Sequence, residues 1–155
     1  METTILCLTR GGIDSYSNQD QAIALAKERA TGLLFLYVSN VQFLGLTASP
    51  VLVDIETELD EMGDFMLAMA KERAEKAGVQ AMTTVRRGVF RQVIKDILKE
   101  YPIQTVVMGR PSPETGITTT EYINELIQEI GRESGVEFIV VHQGEIVNHF
   151  NHEES

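Results

Sequence analysis

The sequence predicts a single doubly wound α/β domain, a parallel sheet covered by helices on both faces, and three observations carry that reading. Short β-branched apolar runs such as Thr105-Val106-Val107-Met108-Gly109 recur along the chain, with the composition of strands buried on both faces. Segments with apolar residues three and four apart alternate with these runs, and right-handed crossovers then make the strands parallel. The 155 residues suffice for one core of ordinary size and not for two.

Ile5-Leu6-Cys7-Leu8-Thr9 reads as the first strand and Arg10-Gly11-Gly12-Ile13-Asp14-Ser15 as the turn that leaves it. Ser17 with Asp20 can cap the helix that follows, where Ala22, Leu25, Ala26 and Ala30 recur at helical spacing until Gly32 stops the pattern. Leu33 to Val38 is the second strand, and residues 40–50 form a long connection of the kind that acts as a flap. Ile55, Leu59, Met62, Met66 and Met69 then share one helical face running toward Gly78. Packing on the sheet is the expected role of that face, with an adaptable interaction surface as the alternative. Val79 to Val85 is the third strand, with Arg86-Arg87-Gly88 at its end. Phe90, Val93, Ile94, Ile97, Leu98 and Tyr101 give the cleanest amphipathic helix, ended by Pro102.

After the fourth strand at Thr105 to Gly109 comes the turn-rich loop Arg110 to Ile117. Thr118 with Glu121 is a capping-box signature before Ile123, Leu126, Ile127 and Ile130. Val136 to Val141 is the fifth strand, and Gln143-Gly144 can turn the chain into a short sixth at Ile146 to Phe150. The domain is therefore placed at 1–144, with 145–155 a C-terminal tail that contains the extra strand if one forms.

Charge narrows the partners. With 13 Lys plus Arg against 23 Asp plus Glu, the net charge of -10 argues against general binding to nucleic acid or to an anionic membrane surface. No run approaches the roughly 20 apolar residues of a membrane span, and Met1-Glu2-Thr3-Thr4 lacks the basic start of a signal peptide. The single cysteine, Cys7, lies in an apolar run and cannot form an intrachain disulfide, so a cytoplasmic location is expected.

A strand end facing a helix N-terminus offers free N–H groups and a favourable dipole to an anion. The candidate ligand-binding residues are Thr9, Arg10, Gly11, Gly12, Asp14 and Ser15 at the first turn and Val38 at the second strand's end. Gly109, Arg110, Ser112, Gly116, Thr118, Thr119 and Thr120 complete the set around the fourth loop. Arg10, Arg86, Arg87 and Arg110 all follow strand ends, although Arg86 and Arg87 read equally well as solvated turn charges. His149 and His152, three apart, lack a cysteine or a third histidine and read as a solvated tail rather than a metal site. No serine, histidine and acid constellation stands out, so no catalytic residue and no metal is expected.

The order of strands and helices, Ile5-Leu6-Cys7-Leu8 at its opening, Gly88 after the third strand and Ile103 to Gly109 at the fourth resemble the universal stress protein family over nearly the whole chain. The resemblance implies a Rossmann-like, adenine nucleotide alpha hydrolase-like five-stranded sheet of order 3-2-1-4-5 and a homodimer joined through the last strand. It also implies a non-catalytic stress-response or signalling role. Members that bind ATP carry an aspartate after the first strand and a glycine-rich pattern after the fourth. Here Arg10 stands in place of the acid. Thr118-Thr119-Thr120-Glu121-Tyr122 matches the family's Ser-Val-Ser-Glu-Tyr through a loop five residues shorter, which leaves Ile117 at the matched glycine. A side chain there obstructs close backbone approach to phosphate. The expectation is an atypical site for a nucleotide or another phosphorylated small ligand, without a certain cofactor; a ligand-free dimeric interaction protein is the alternative. Gly11-Gly12-Ile13-Asp14-Ser15 also looks like the pyrophosphate-binding loop of ATP pyrophosphatases, with Arg10 at its leading serine, which keeps a small ATP-using enzyme in view.

Strands one and four lie about 4.8 Å apart in that order, so Arg10 and Arg110 can share one anion. Arg10→Asp should therefore raise the dissociation constant for inorganic phosphate about tenfold or more by calorimetry; unchanged affinity would make Arg10 a structural turn residue.

Overall fold

The computed structural model describes residues 2–9, 13–39, 50–109 and 120–150, with the backbone alone at 13–15, 39, 50–60 and 120–123. Its elements follow the alternation expected: β1 (Thr3–Thr9), α1 (Ile13–Arg29), β2 (Gly32–Ser39), α2 (Pro50–Lys76) and β3 (Ala81–Arg87). Then come α3 (Phe90–Glu100), β4 (Thr105–Gly109), α4 (Thr120–Ser134), β5 (Glu137–His142) and β6 (Glu145–Phe150). The sheet has the order β3-β2-β1-β4-β5-β6, parallel through β5 and antiparallel at β6.

Alternate residues along each strand feed two separate cores, as a period of two requires. Leu6, Leu34, Val106 and Phe138 pack against α3 and α4 through Val93, Ile94, Ile97, Leu126, Ile127 and Ile130. Ile5, Phe35, Val107 and Ile139 pack on the opposite face against α1 and α2 through Ala22, Ile23, Ala26, Leu67, Ala70 and Ala74. Cys7 belongs to this second core, and burial pushes its thiol up to about 12 despite opposing contributions from Arg73 and Thr9. It is a neutral core residue.

Several boundaries and faces differ from the sequence expectation. Helix α1 starts at Ile13, so Ser17 and Asp20 lie inside it; Asp20 accepts a bond from Arg73 of α2 at 2.8 Å instead of capping. The left-handed residue after α1 is Ala30, φ 53°, and Gly32 already belongs to β2, where an added Cβ would meet Thr3 Oγ1 at 2.8 Å. Among the described side chains of α2, which exclude Ile55 and Leu59, the buried positions are Gly63, Leu67, Ala70 and Ala74, while Met62 is exposed and Met66 and Met69 are half-buried. The methionine face is thus not the one on the sheet. Small residues hold α2 close: a Cβ at Gly63 would lie 2.5 Å from Tyr37 Cδ1 of β2.

The five parallel strands stand in the order that the resemblance implies, and the short sixth strand forms as β6. Gln143 (φ 51°) and Gly144 (φ 83°) form a two-residue turn with both central residues at positive φ, whose twist matches an antiparallel hairpin. It returns β6 along β5 from His142↔Glu145 to Phe138↔Phe150, with a bulge near Val140. The outer edge of β5, the strand through which the resemblance implies a homodimer, is therefore paired within the chain, and β6 is the edge strand.

His149 is not a solvated tail residue either: it sits in β6 and hydrogen-bonds Glu137 at the start of β5. Glu137 also accepts from Arg29 Nη1 at 2.7 Å and Thr105 Oγ1 at 2.8 Å. Burial alone would raise its carboxyl, but these three donors outweigh burial and hold it at about 2 against an ordinary 4.5. A depressed carboxylate contributes its stability above the unfolded value and loses it as pH falls toward the folded one. Glu137→Gln should lower the urea midpoint at pH 6, and the gap to the unsubstituted protein should close between pH 4.5 and about 2. A gap independent of pH would remove Glu137 as the titrating group.

Candidate functional site

Strands β1 and β4 are neighbours although a hundred residues separate them, paired from Ile5↔Thr105 to Cys7↔Val107. Two residues further along each strand lie Thr9 and Gly109, the last residues of β1 and β4. From β1 the chain crosses to β2 on one side, and from β4 to β5 on the other. Helix α1 covers the β1 exit on one face of the sheet and α4 covers the β4 exit on the opposite face. This is a topological switch point, the place in an open α/β sheet where diverging connections leave a crevice.

The residues expected from sequence fall around this point as follows. Thr9 is buried, and its hydroxyl accepts a hydrogen bond from Gln19 Nε2 at 3.2 Å. Gly109 is half-buried and paired with Val141 of β5. Val38 is half-buried near the end of β2 and packs against the α3/α4 core. Asp14 and Ser15 lie in the first turn of α1, and Thr120 is the first residue of α4. The pyrophosphate-loop match therefore runs into a helix, since Ile13, Asp14 and Ser15 are helical. Arg10, Gly11, Gly12, Arg110, Ser112, Gly116, Thr118 and Thr119 lie outside the described residues, as do Ile117 and His152.

Of the two third-strand arginines, Arg86 is engaged elsewhere. Its Nε donates to Thr84 Oγ1 at 3.1 Å, and its two terminal nitrogens reach the Glu100 carboxylate of α3 at 3.2 and 2.6 Å. That bond raises Arg86 and lowers Glu100. Arg87 is exposed at the end of β3.

Two neighbouring α1 residues shape the strand ends and were not singled out in the sequence. Gln19 is a buried polar residue that donates to Thr9 and accepts from Arg73 Nη1 at 2.9 Å. Arg73 also reaches Asp20 and the Tyr16 carbonyl and lies 4.7 Å over the Tyr16 ring, so one guanidinium ties α2 to the start of α1. Asn18 lies against Gly109: an added Cβ there would stand 2.7 Å from Asn18 Nδ2. Asn18 Oδ1 is buried without a hydrogen-bond partner. The signal was present in the spacing, because Asn18 and Gln19 stand four and three residues before Ala22, on the face that is otherwise apolar.

Among the described residues no group of three or more His, Cys, Asp or Glu could hold a metal ion. No helix among them is long and apolar enough to cross a membrane. A shallow cleft of about 560 Å³ lined by Thr3, Glu75, Val79 and Met82 lies at the start of β3, the opposite sheet edge from the switch point.

Residues 1–120 match the model of the universal stress protein family. Similar solved structures include the universal stress protein UspA from Lactobacillus plantarum, at 17% identity and a TM-score of 0.68, covering 90% of this chain and 97% of that one. A universal stress protein in complex with cAMP is 19% identical with a TM-score of 0.65, covering 92% and 98%. The universal stress protein from Archaeoglobus fulgidus in complex with dAMP is 13% identical with a TM-score of 0.56, covering 89% and 96%. No curated protein sequence matches the chain significantly.

The atom that a Cβ at Gly109 meets, Asn18 Nδ2, is the far end of a side chain that can turn aside. Gly109→Ala should therefore cost no more than about 1 kcal/mol in urea unfolding; a larger loss that Asn18→Ala recovers would show that Asn18 is held in place.

Proposed function

The chain belongs to the universal stress protein family, and on that footing we propose that it is a non-catalytic stress-response or signalling protein. Its ligand is a nucleotide or another phosphorylated small molecule, held at the carboxyl edge of β1 and β4. The observation that carries this reading is the start of α1 at Ile13 and of α4 at Thr120 beside adjacent strand ends. A helix start offers backbone N–H groups without an intrahelical partner and a positive dipole end, and an anion at these strand ends gains from two helices. The orphaned Asn18 Oδ1 supports it, because a buried acceptor left unpaired costs about 1–3 kcal/mol and a donor group on a ligand would relieve that cost. Relatives of the same fold in complex with cAMP and dAMP make adenine nucleotides the first compounds to test.

The binding mode differs from that of the ATP-binding members. Arg10 offers a cation where they place a carboxylate, and Ile117 replaces the matched glycine, so adenine recognition and part of the phosphate cradle are lost. The hydroxyls of Thr118, Thr119 and Thr120 and the guanidinium of Arg110 remain for a smaller anion or a differently oriented nucleotide.

Calorimetry with ATP, AMP, cAMP and inorganic phosphate at about 0.15 M salt tests this. The expected result is binding of AMP, cAMP or phosphate that Arg10→Asp weakens. Micromolar ATP affinity lost on Thr118→Ala would overturn the atypical mode, and no heat with any compound would leave a ligand-free interaction protein. Magnesium-dependent release of pyrophosphate would relocate function to the segment from Gly11 to Ser15 as an enzyme site.

A further inference from the structure

Consecutive residues of α1, from Tyr16 to Asp20, each meet another part of the fold. Tyr16 offers its carbonyl to Arg73 of α2, and its ring lies 4.7 Å from that guanidinium. Ser17 stands where a Cβ added at Gly144, in the turn between β5 and β6, would lie 3.2 Å from its own Cβ. Asn18 lies against Gly109 at the end of β4. Gln19 donates to Thr9 at the end of β1 and accepts from Arg73, and Asp20 accepts from Arg73 as well.

Polar contacts dominate here. Ala22, Ile23 and Ala26 anchor the later turns of α1 in the core, but from Tyr16 to Asp20 the one buried residue is Gln19. Arg73 supplies most of the bonds from a single guanidinium. Its Nη1 donates to Gln19 Oε1 at 2.9 Å, and its Nη2 donates to Asp20 Oδ1 at 2.8 Å and to the Tyr16 carbonyl at 3.2 Å. A planar fork fixes direction as well as distance, which apolar packing does less sharply. Arg73 is itself anchored, because Ala70 and Ala74 on either side of it are buried in the core between α2 and the sheet. The position of α2 is thus imposed on the start of α1 and, through Gln19, on the end of β1.

We propose that Arg73 is a positioning residue for the strand-end site. Acting through α1 rather than on a ligand, it sets where the first turns of that helix stand relative to the ends of β1 and β4, and so the affinity of the site for an anion. This rests on the reading of that crevice as the ligand site. The attraction of a helix start for an anion falls off within the first turn, so fraying or displacement there costs affinity even where the fold is kept.

Two measurements on the whole protein test this. The first is hydrogen exchange without ligand, in which Arg73→Met should speed the amides of residues 13–20 about tenfold while α3 and α4 keep their rates. Equal acceleration in α3 and α4 would make Arg73 a general stabiliser, and unchanged rates at 13–20 would remove the clamp; either overturns the proposal. The second is calorimetry with AMP, cAMP and inorganic phosphate. Whichever of these the unsubstituted protein binds should bind about tenfold more weakly to Arg73→Met, with Arg73→Lys, which keeps the charge and loses the fork, falling between. Lys71→Met removes the same charge from an exposed position on the same helix and should leave affinity as it was. Equal weakening by Lys71→Met and Arg73→Met would reduce the effect to long-range charge. Unchanged affinity in Arg73→Met despite faster exchange at 13–20 would separate the clamp from the site. Both results overturn the proposal. Binding of none of the three compounds by the unsubstituted protein would overturn the ligand-site reading and this proposal with it, a failure told apart from the others by an intact exchange contrast.

Discussion

The pairing of β1 with β4 is the constraint on which the rest of the structure depends. Both strands are buried on both faces, so neither can exist without the helices that cover them. Because the register joins Ile5 to Thr105, the ladder brings together segments a hundred residues apart, with three helices and two strands between them. Once closed, it gives the sheet its centre and reverses the direction in which strands are added. Sheet stability and the position of the crevice therefore have the same origin, and damage to the central ladder would remove both.

The two faces of the sheet are covered by different means. On the α3/α4 face, branched side chains from Val93, Ile94, Ile97, Ile127 and Ile130 fill the space, and the helices are read easily from their periodicity. On the α1/α2 face much of the contact is made by Ala22, Ala26, Gly63, Ala70 and Ala74, which bring helix backbones close to rings such as Phe35 and Tyr37. Close approach also allows polar side chains to reach across. Arg73 from α2 bonds to Gln19, Asp20 and the Tyr16 carbonyl of α1, and Gln19 reaches Thr9 at the end of β1. Helix α2 is thereby linked to the strand end beside the crevice by a continuous chain of hydrogen bonds.

How much of this was legible in the sequence follows from the same physics. The parallel strands were legible because burial on both faces leaves a continuous apolar run, and their order came with the family resemblance. The packing face of α2 was not, since hydrophobicity points to its methionines while small residues make the contact; Met62 and Leu67 differ in burial, not in polarity. Strand β6 is mostly exposed and so carries little pattern, and it was read at Ile146 to Phe150 through its turn, Gln143-Gly144. At the site, the strand ends and the approximate starts of both helices could be placed. Asn18 and Gln19 were missed because a polar pair on an apolar stripe reads as a weak helix start rather than as contacts to Gly109 and Thr9. Arg86 reads as a strand-end cation, but its partner Glu100 lies on the next helix, and only folding brings the two together.

The tight turn at Gln143-Gly144 also has a meaning in time. Strand β5 depends on β4 for one edge, and that partnership waits for long-range assembly. Its other edge depends only on β6, two residues away. A local hairpin of this kind closes in about 1–10 μs, far sooner than parallel strands separated by whole helices find one another. The apolar run from Phe138 to Val141 thus has on one side a partner whose pairing is local, and on that side its backbone groups are engaged by its own chain instead of forming an open edge.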